Sequence, residues 1–319
     1  MYESFNFCED EFYLNDLKKR NLTISKLIKE SSVDGLEMFV YDKINNVELF
    51  KPFTIGVHLK YWPYWLAFWR NDEARLAEEF KNFDAQVKYY KAKNKTEWVN
   101  NIRQNILDAL KLNPHYLVWH VSECDEKEIY TFNFKYTDAE VISATIELIN
   151  EVSDVIPDDV CLLFENLWWP GLRMTNIEQA RLMFGDPSKL KHKNVGVMFD
   201  LGHFACTNQD LKNQEDIIKY FEITYKKLGK YGKFIKGFHL SKSLSGEYIK
   251  GLKKISPRDL DMKQIFSHIS KIDQHQPFTD SVVKRAIELV KPKYIVHELL
   301  YDDLDDLKKK VRIQHNSLK

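Results

Sequence analysis

Residues 195–204 read VGVMFDLGHF, an apolar run that ends in an aspartate and leads into a segment with helical periodicity. Similar short runs, rich in β-branched and aromatic residues, recur along the chain, and longer segments with helical spacing separate them. Most of these runs are apolar on both alternating faces, which is typical of parallel strands that are covered on both sides. The runs are GLEMFV (35–40), FTIGVHL (53–59), YLVWHV (116–121), VCLLFEN (160–166), VGVMFDL (195–201), FIKGFHL (234–240), YIVHEL (294–299) and a weaker ESFNF (3–7).

Eight such repeats of strand and helix predict an α/β protein, a single (β/α)8 TIM-barrel domain over residues 1–319. An open doubly wound sheet is the competing architecture, and it is disfavoured because no glycine-rich turn of the dinucleotide-binding kind follows any run. Residues 60–114 are too long for one simple connection. They open with YWPYWLAFW (61–69) and contain two helical patterns that end near 100–112, so we predict a helical insertion after the third strand.

The composition excludes several classes of protein. The 319 residues include 47 basic and 47 acidic side chains, and this balance argues against a protein that coats nucleic acid or an anionic membrane. The four cysteines are scattered without CxxC spacing, and residues 1–16 lack the features of a signal peptide. No apolar run approaches the length that crosses a bilayer. We therefore predict a cytoplasmic protein without a membrane partner.

Ionisable residues stand at or near the carboxyl ends of six predicted strands. Buried strands tolerate few such groups, and the carboxyl ends of all strands in a parallel barrel converge on one face, where catalytic groups sit. Carboxylates that are crowded in this way repel one another unless a cation lies among them. The pattern therefore predicts a metal site formed by His58, His120, Glu165, Asp200, His239 and Glu298.

Three further residues extend this set. His203 follows Asp200 by three positions, and Asp273 and His275 are two apart, so the latter two would share a face of an extended segment. Nine potential ligands exceed what one ion can use, which indicates two or three ions, or one ion with several supporting groups. Mixed nitrogen and oxygen ligation favours zinc, manganese or iron(II) over magnesium or calcium as the divalent metal, without ranking the three.

In order and type, these nine residues resemble the ligand set of the endonuclease IV family, the second family of AP endonucleases, within the xylose isomerase-like TIM-barrel superfamily. The resemblance spans roughly residues 34–299. It implies three zinc ions, with Glu165 bridging ions and with Asp200 and Glu298 also central. It assigns the other ligands to two outer ions, one held by His58 and His120 and one held by His203, Asp273 and His275.

The sugar isomerases and epimerases of the same superfamily hold one manganese or similar ion with a smaller set of ligands. The residues that match this smaller set are Glu165, Asp200, His239 and Glu298.

The loop that follows Glu165 reads ENLWWPGL (165–172), where the repair enzymes of the endonuclease IV family have a loop of small residues with glycine. Two tryptophans would narrow the pocket, so a small phosphorylated or sugar substrate is expected rather than DNA. Sugar faces stack on aromatic rings, although rings in the insertion could equally serve packing. The residues that we predict to contact the substrate are Tyr61, Trp62, Trp168 and Trp169.

The ligand count favours a metal-dependent hydrolase of a phosphate ester or phosphodiester. The ions would bind the phosphate and activate a water, which Glu165 would orient, and Lys242 would neutralise developing charge. Lys236 and Lys242 flank His239, and the seventh strand of a barrel often borders a phosphate site.

The alternative is a divalent-metal-dependent isomerase or epimerase of a sugar or sugar phosphate. One ion would polarise a carbonyl and a neighbouring hydroxyl, while Glu165 and Glu298 would move a proton on either side of the carbon. A third hypothesis is a barrel without activity that binds a partner. The presence of every ligand type argues against it, because buried carboxylates without a cation are costly.

Overall fold

The computed structural model describes residues 1–254 and 261–319, in which eight parallel strands close into a barrel. Each strand pairs with its neighbours in sequence, and the last pairs with the first. The (β/α)8 prediction is confirmed, and every strand overlaps its predicted run. The strands are β1 (Tyr2–Cys8), β2 (Gly35–Val40), β3 (Thr54–Leu59), β4 (Tyr116–His120), β5 (Cys161–Glu165), β6 (Val195–Asp200), β7 (Ile235–Leu240) and β8 (Tyr294–His297).

The alternation of side chains along each strand places the predicted ligands on the inner face of the barrel. In β5, Leu163 belongs to the apolar cluster inside the barrel, and Glu165 lies two residues later on the same face. Val118 and His120 repeat this arrangement in β4. Phe164 points outward into the larger core between barrel and helices. A ligand candidate is thus the last inward-facing residue of its strand, at the open end that we call the mouth.

Helices connect the strands and cover the outer surface of the barrel. They are α1 (Glu11–Lys19), α2 (Ile24–Ser31), α3 (Val47–Phe50), α4 (Leu66–Arg70), α5 (Glu73–Glu79), α6 (Phe83–Tyr90), α7 (Lys95–Leu110), α8 (Glu126–Thr131), α9 (Asp138–Val152), α10 (Ile177–Phe184), α11 (Leu201–Cys206), α12 (Gln214–Leu228), α13 (Gly246–Lys250), α14 (Met262–Ile272), α15 (Lys284–Val290) and α16 (Leu304–Ser317). Short 3-10 helices cover Lys51–Phe53, Ser153–Val155, Gly229–Phe234 and Ser281–Val283. Within the described ranges, none of the helices combines the length and the apolar character that a bilayer crossing requires.

The insertion between β3 and β4 is present as predicted, but it contains the four helices α4 to α7 where the sequence pattern indicated two. Its aromatic residues pack around the fully buried Trp98 of α7. The rings of Trp62, Trp65 and Phe68 lie with their centroids 5.7, 6.2 and 5.8 Å from the Trp98 ring. This aromatic cluster supplies the core that anchors the insertion to the barrel.

A second apolar cluster lies above the ends of β4 to β7, and we call the elements that form it the cap. The cap consists of α8, α13, α14 and the loop 166–172. The ring of His268 in α14 stacks on that of Tyr130 in α8 at 4.0 Å, and its Nε2 lies 3.1 Å from the carbonyl oxygen of Ile129. The cap therefore covers one side of the mouth. The ends of β1, β2 and β8 lie on the other side, which the cap does not cover.

Candidate metal centre

The structure brings all nine predicted ligands together at the mouth. They form three groups, and within each group one potential ligand atom from every residue lies within 4.8 Å of the others. We name them the central group (Glu165, Asp200, His239 and Glu298), the first outer group (His58, His120 and Glu165) and the second outer group (His203, Asp273 and His275).

The central group takes one residue from the end of each of β5, β6 and β7 and one from just beyond β8. Its His239 Nδ1 lies 3.1 Å from Glu165 Oε1 and 2.8 Å from Glu298 Oε2. Glu165, Asp200 and His239 are fully buried, and Glu298 is 8% exposed. Three carboxylates in so small a buried volume require a positive charge between them.

Glu165 joins the groups to one another. Its Oε2 lies 3.1 Å from His58 Nε2 and 3.0 Å from His120 Nε2, in the first outer group. Its Oε1 faces the central group and also lies 3.2 Å from His203 Nδ1, in the second outer group. One carboxylate from β5 thus contacts side chains of every group, as the resemblance implies for a bridging residue.

The second outer group depends on the start of α11 and on the segment after α14. Asp200 is the N-cap of α11 and accepts a hydrogen bond from the backbone N–H of His203, which fixes this histidine one turn into the helix. Asp273 Oδ2 lies 3.1 Å from His203 Nε2 and 2.6 Å from His275 Nε2. His275 itself has a φ of 43°, an uncommon backbone conformation that aims its ring into the mouth.

The hydrogen bonds on the far side of the histidine rings fit metal ligands. The Nδ1 atoms of His58, His203 and His275 lie 3.0–3.1 Å from the backbone carbonyl oxygens of Leu59, Asn166 and Glu298. A ring that donates Nδ1–H to a carbonyl presents its Nε2 as a lone pair, which is the arrangement that supports metal-bound histidines.

The central group also contains four buried polar atoms that form no hydrogen bond among the described residues. Buried polar atoms are almost always hydrogen-bonded, so a cluster of exceptions calls for an explanation. A divalent cation among them would satisfy them together, so the residues fit the metal that the sequence predicts. Among the described residues, the buried atoms without a hydrogen-bond partner include Glu165 Oε1, Asp200 Oδ2, His239 Nδ1 and Glu298 Oε2.

A residue that the sequence analysis missed, Glu37 of β2, orients His239. His239 Nε2 lies 3.1 Å from Glu37 Oε2, so the ring donates this proton and turns Nδ1 toward the central group. The buried Glu37 carboxylate also accepts hydrogen bonds from Tyr116 and Asn6 at 2.7 and 2.8 Å. Gly56 makes room for the Tyr116 ring, since a Cβ there would lie 2.1 Å from it. The available signal was a glutamate inside the apolar run GLEMFV.

The pKa values describe which protons the protein holds before a cation binds. Burial raises the pKa of Asp200 to about 8, and Glu298 adds to this rise against the opposing charge of His203. Burial opposes the charged form of His275, but Asp273 outweighs it and raises the pKa of His275 to about 10. Burial also works against the charge of Glu298, yet His239 lowers the pKa of Glu298 to about 2. Burial also opposes the charged forms of His203 and His239, but neighbouring carboxylates raise the pKa of both well above the usual value. A cation must therefore displace protons from these two histidines as well as from Asp200 and His275.

A cavity of about 280 Å³ opens beside the central group on the side that the cap leaves free. Glu298 and His275 form part of its wall, and aromatic side chains from the ends of β1, β2 and β8 form much of the rest. No pattern in the sequence marks these aromatic residues, because the ends of β1, β2 and β8 come together only when the sheet closes into a barrel. They are Tyr13, Phe39, Tyr41 and Tyr301.

The four aromatic residues predicted to contact the substrate divide into two pairs. The Tyr61 ring lies edge-on to His120 at 4.5 Å, and the Trp168 ring lies 5.3 Å from His203, so both border predicted ligands. Trp169 is 4% exposed and packs in the cap, and Trp62 is 8% exposed and packs on Trp98 in the insertion. Substrate contact stays a prediction for these residues.

The two lysines proposed for phosphate binding lie at opposite ends of β7. Lys242 follows the strand at the mouth, where its backbone pairs with that of Gln276, and its ammonium forms no ion pair within the described ranges. Lys236 is the second residue of β7 and is exposed at the far end of the barrel. The prediction for Lys236 is wrong because this residue lies at the amino end of β7, whereas the mouth lies at the carboxyl end of the strand.

A further acid–histidine group, which we call the outer cluster, lies under α16 and consists of Glu3, His297 and His315. Glu3 Oε1 lies 2.7 Å from His297 Nε2 and 2.6 Å from His315 Nδ1. Gln314 fixes the protons here. Its Oε1 accepts from the backbone of Phe278, so its Nε2 must donate to His297 Nδ1 at 2.8 Å. His297 therefore carries its proton on Nε2 and donates it to Glu3.

Comparisons with known proteins bear on the fold. No family model matches the chain, and no curated protein sequence matches it. Three solved structures have a similar architecture. A D-tagatose 3-epimerase-like protein has a TM-score of 0.53 and 14% sequence identity, and the match covers 100% of this chain and 97% of that one. AsfvAP, in the AsfvAP:AG structure, has a TM-score of 0.56 and 11% identity over 99% of this chain and 97% of that one, and a putative xylose isomerase from Rhodospirillum rubrum has a TM-score of 0.52 and 12% identity over 99% of both chains. At these identities the likeness establishes the architecture, and the chain has the fold of the xylose isomerase-like TIM-barrel proteins.

Proposed function

We propose that the chain is a divalent-metal-dependent isomerase or epimerase that acts on a small sugar or sugar phosphate. One observation carries this proposal. Three carboxylate oxygens and one histidine nitrogen of the central group are buried without a hydrogen-bond partner among the described residues, and Glu298 of this group lines a cavity of about 280 Å³. Among the proteins of similar fold, two are named for sugars, a D-tagatose 3-epimerase-like protein and a putative xylose isomerase, and these names favour a sugar over the hydrolysis predicted from the ligand count.

Glu165, Asp200, His239 and Glu298 would hold the metal, with zinc, manganese and iron(II) as the candidates that this donor set suits. When bound, such an ion polarises a carbonyl and a neighbouring hydroxyl of the substrate.

The two glutamates of the central group are the proposed acid–base pair. Their carboxylates approach His239 Nδ1 from different strands, and Glu298 is the one that reaches the cavity. Glu298 is ionised because, against the effect of burial, His239 lowers its pKa, and its place in the cavity wall makes it the proposed acceptor of a proton from a substrate carbon. Glu165 is the proposed acid on the deeper side. It must first take up a proton from solvent or substrate before it returns one to carbon because, against the effect of burial, His239 and His120 hold its pKa well below the usual range. Glu37 keeps His239 in the orientation that both carboxylates require.

The shape of the mouth supports a small substrate. The cap covers the side above β4 to β7. On the other side Phe39 and Tyr41 line the cavity as a stacked pair with ring centroids 5.4 Å apart. A sugar ring packs well against such faces. The cap also keeps bulk water from the deeper side of the centre, which protects a carbanion-like state from side reactions.

Exchange of substrate protons with solvent tests the reaction class without knowledge of the exact sugar. The protein is loaded with Mn²⁺ or Zn²⁺ and incubated in D₂O with a panel of aldoses, ketoses and their phosphates. We expect ¹H NMR to show loss of the proton on the carbon next to the carbonyl. Glu298→Gln should stop this exchange, and Glu3→Gln, which removes the same charge from the outer cluster, should leave it unchanged.

Absence of exchange for every sugar in the metal-loaded protein would contradict the isomerase proposal. Exchange that continues in Glu298→Gln would instead show that the acid–base pair is assigned to the wrong residues.

The outer groups favour a second candidate, the metal-dependent phosphoesterase of the sequence analysis. They add five potential ligands to the central group, and Glu165 contacts members of both. Multinuclear sites of this kind suit phosphate ester hydrolysis. Elemental analysis of the purified protein distinguishes the two candidates, because two or three ions per chain favour hydrolysis and one favours isomerisation. Release of nitrophenol from bis(p-nitrophenyl) phosphate would then decide for the hydrolase.

A further inference from the structure

A second cavity, of about 240 Å³, lies beside the ends of β2 and β3 and outside the metal centre. Three lysines line it: Lys43 after β2, Lys60 after β3 and Lys91 at the end of α6. Aromatic rings and amide side chains complete the wall, among them Trp62 and Tyr41. We call this cavity the lysine pocket. Neither the proposed acid–base chemistry nor the metal uses it.

The lysine pocket has more cations than anions. Asp42 Oδ1 lies 2.7 Å from Lys91 Nζ and 3.8 Å from Lys60 Nζ, so one carboxylate serves two ammonium groups. Lys43 is exposed and has no ion pair in the ranges that the structure describes. The remaining acid of the pocket, Asp108, is paired with Lys111 outside it. An unbalanced cation cluster in a concave site attracts an anion.

The Lys60 ammonium is held in place, and the backbones of Lys60 and Lys91 are fixed as well. Lys60 is only 19% exposed in its side chain, and its ammonium lies 5.0 Å from the centroid of the Trp62 ring. The backbone of Lys91 has a φ of 53°, and its carbonyl accepts a hydrogen bond from Asn101 at 2.8 Å. The backbone N–H of Lys60 donates to Asn105 at 3.0 Å. Preorganised cations lose less conformational entropy when an anion binds.

Tyr41 lines both the lysine pocket and the cavity at the metal centre. The two cavities are thus neighbours that meet at the Tyr41 ring, so a substrate with its reacting carbons beside Glu298 would reach the lysine pocket by extending past this ring. We propose that the lysine pocket binds the phosphate group of a small phosphorylated substrate, with Lys43, Lys60 and Lys91 as its ligands. This inference rests on the proposed function, and it selects a sugar phosphate over a free sugar.

The binding of inorganic phosphate, followed by ³¹P NMR titration of the metal-loaded protein and repeated with a chelator, tests this pocket directly. Each ammonium contact should contribute about 1 kcal/mol, so we expect Lys60→Met and Lys91→Met to weaken binding about fivefold. Asp42→Asn removes the competing carboxylate, and it should tighten binding by a similar factor. Lys88→Met is the matched control, because Lys88 is an exposed lysine of α6 outside the pocket.

Equal phosphate binding by the wild type and the lysine variants would overturn the proposal, as would binding that the chelator abolishes. Asp42 is 71% exposed in its side chain, so Asp42→Asn keeps the test decisive if Lys60→Met fails to fold. A single-stranded oligonucleotide that binds more tightly than phosphate through these lysines would assign the pocket to nucleic acid and also overturn it. Lysine-dependent phosphate binding without deuterium exchange in any sugar would instead contradict the proposed function and leave the phosphate pocket established.

Discussion

The mouth and the outer cluster contain the same kinds of side chain at similar distances, yet their chemistry differs. In both, histidine nitrogens lie about 3 Å from carboxylate oxygens. At the mouth, backbone carbonyls and Glu37 accept the protons on the far side of the histidines, so the nitrogens that face the carboxylates can exchange their protons for a cation. Under α16, Gln314 donates to the far side of His297, and the proton must lie toward Glu3. The partner on the far side of a histidine thus decides between a metal ligand and a hydrogen-bond donor.

Of the variants that test this difference between the mouth and the outer cluster, Glu165→Gln should have the largest effect on activity. Loss of the carboxylate that contacts all three groups should lower activity by about 10²–10⁴-fold, the range typical of a positioned acid–base group, while the volume of the side chain is nearly unchanged. Activity and metal content per chain are measured together, with Glu3→Gln as the matched control in the outer cluster. A fully active Glu165→Gln would show that the bridging carboxylate is misassigned.

Metal binding should stabilise the mouth and leave the outer cluster unaffected. Zn²⁺ at about 100 times its dissociation constant should raise the free energy of unfolding of the metal-free protein by about 2.7 kcal/mol, because the ion binds the folded state alone. Thermal denaturation with and without the ion measures this. The shift should disappear in Glu165→Gln and persist in Glu3→Gln. A shift of equal size in both variants would mean that the ion binds elsewhere.

The pH dependence should separate the two regions further. The pKa of Asp200 is raised to about 8 and that of His275 to about 10 in the protein without metal. Both groups hold protons more tightly when folded. The stability that Asp200 contributes is therefore lost as the pH rises from about 4 to about 8, and that of His275 as the pH rises from about 6.5 to about 10. Metal affinity should rise over the same range because fewer protons must leave. Calorimetry of metal binding in buffers of different ionisation enthalpy should detect proton release near pH 7. If no protons are released, the assignment of these residues as metal ligands is contradicted.

The smallest effect is expected in the outer cluster. His315→Ala removes one of the two hydrogen bonds that Glu3 Oε1 accepts, at a side chain that is 16% exposed. We expect a loss of about 0.5–1.5 kcal/mol in the free energy of unfolding, measured in urea, with metal content and activity unchanged. Loss of metal from this variant would refute the distinction drawn between the two regions.

The strands and the six ligands at their ends could be predicted because a period of two residues places these side chains on the inner face of the barrel. Glu165 is the example, since Leu163 two positions earlier already marks the face that points into the barrel. His203, Asp273 and His275 lie outside the strands, and they were found from their spacing in the chain and their residue types.

The number of helices in the insertion could not be predicted. Residues 66–70 and 73–79 form helices too short to show a clear apolar periodicity, and contact with the barrel and Trp98 stabilises them instead.

Other features of the site depend on closure of the barrel. Glu37 lies in the middle of β2, and its partner His239 is 202 residues away, so no local pattern marks the pair. The cavity beside Glu298 depends on the same closure, which sets Phe39 and Tyr301 in one wall. Trp62 is a residue whose role the sequence could not decide, because an aromatic run looks the same in sequence whether its rings pack together or face a ligand.

The Asp200 side chain is both the N-cap of α11 and a member of the central group, and this double role restricts which substitutions the metal centre tolerates. One of its oxygens begins α11 by accepting from the backbone of His203, and the other is aimed at the central group. Glutamate would carry the same charge, but it is a poor N-cap, so even the most conservative acidic exchange would disturb two neighbouring binding positions at once. Evolution can therefore retune the walls of this barrel far more freely than it can retune this single aspartate.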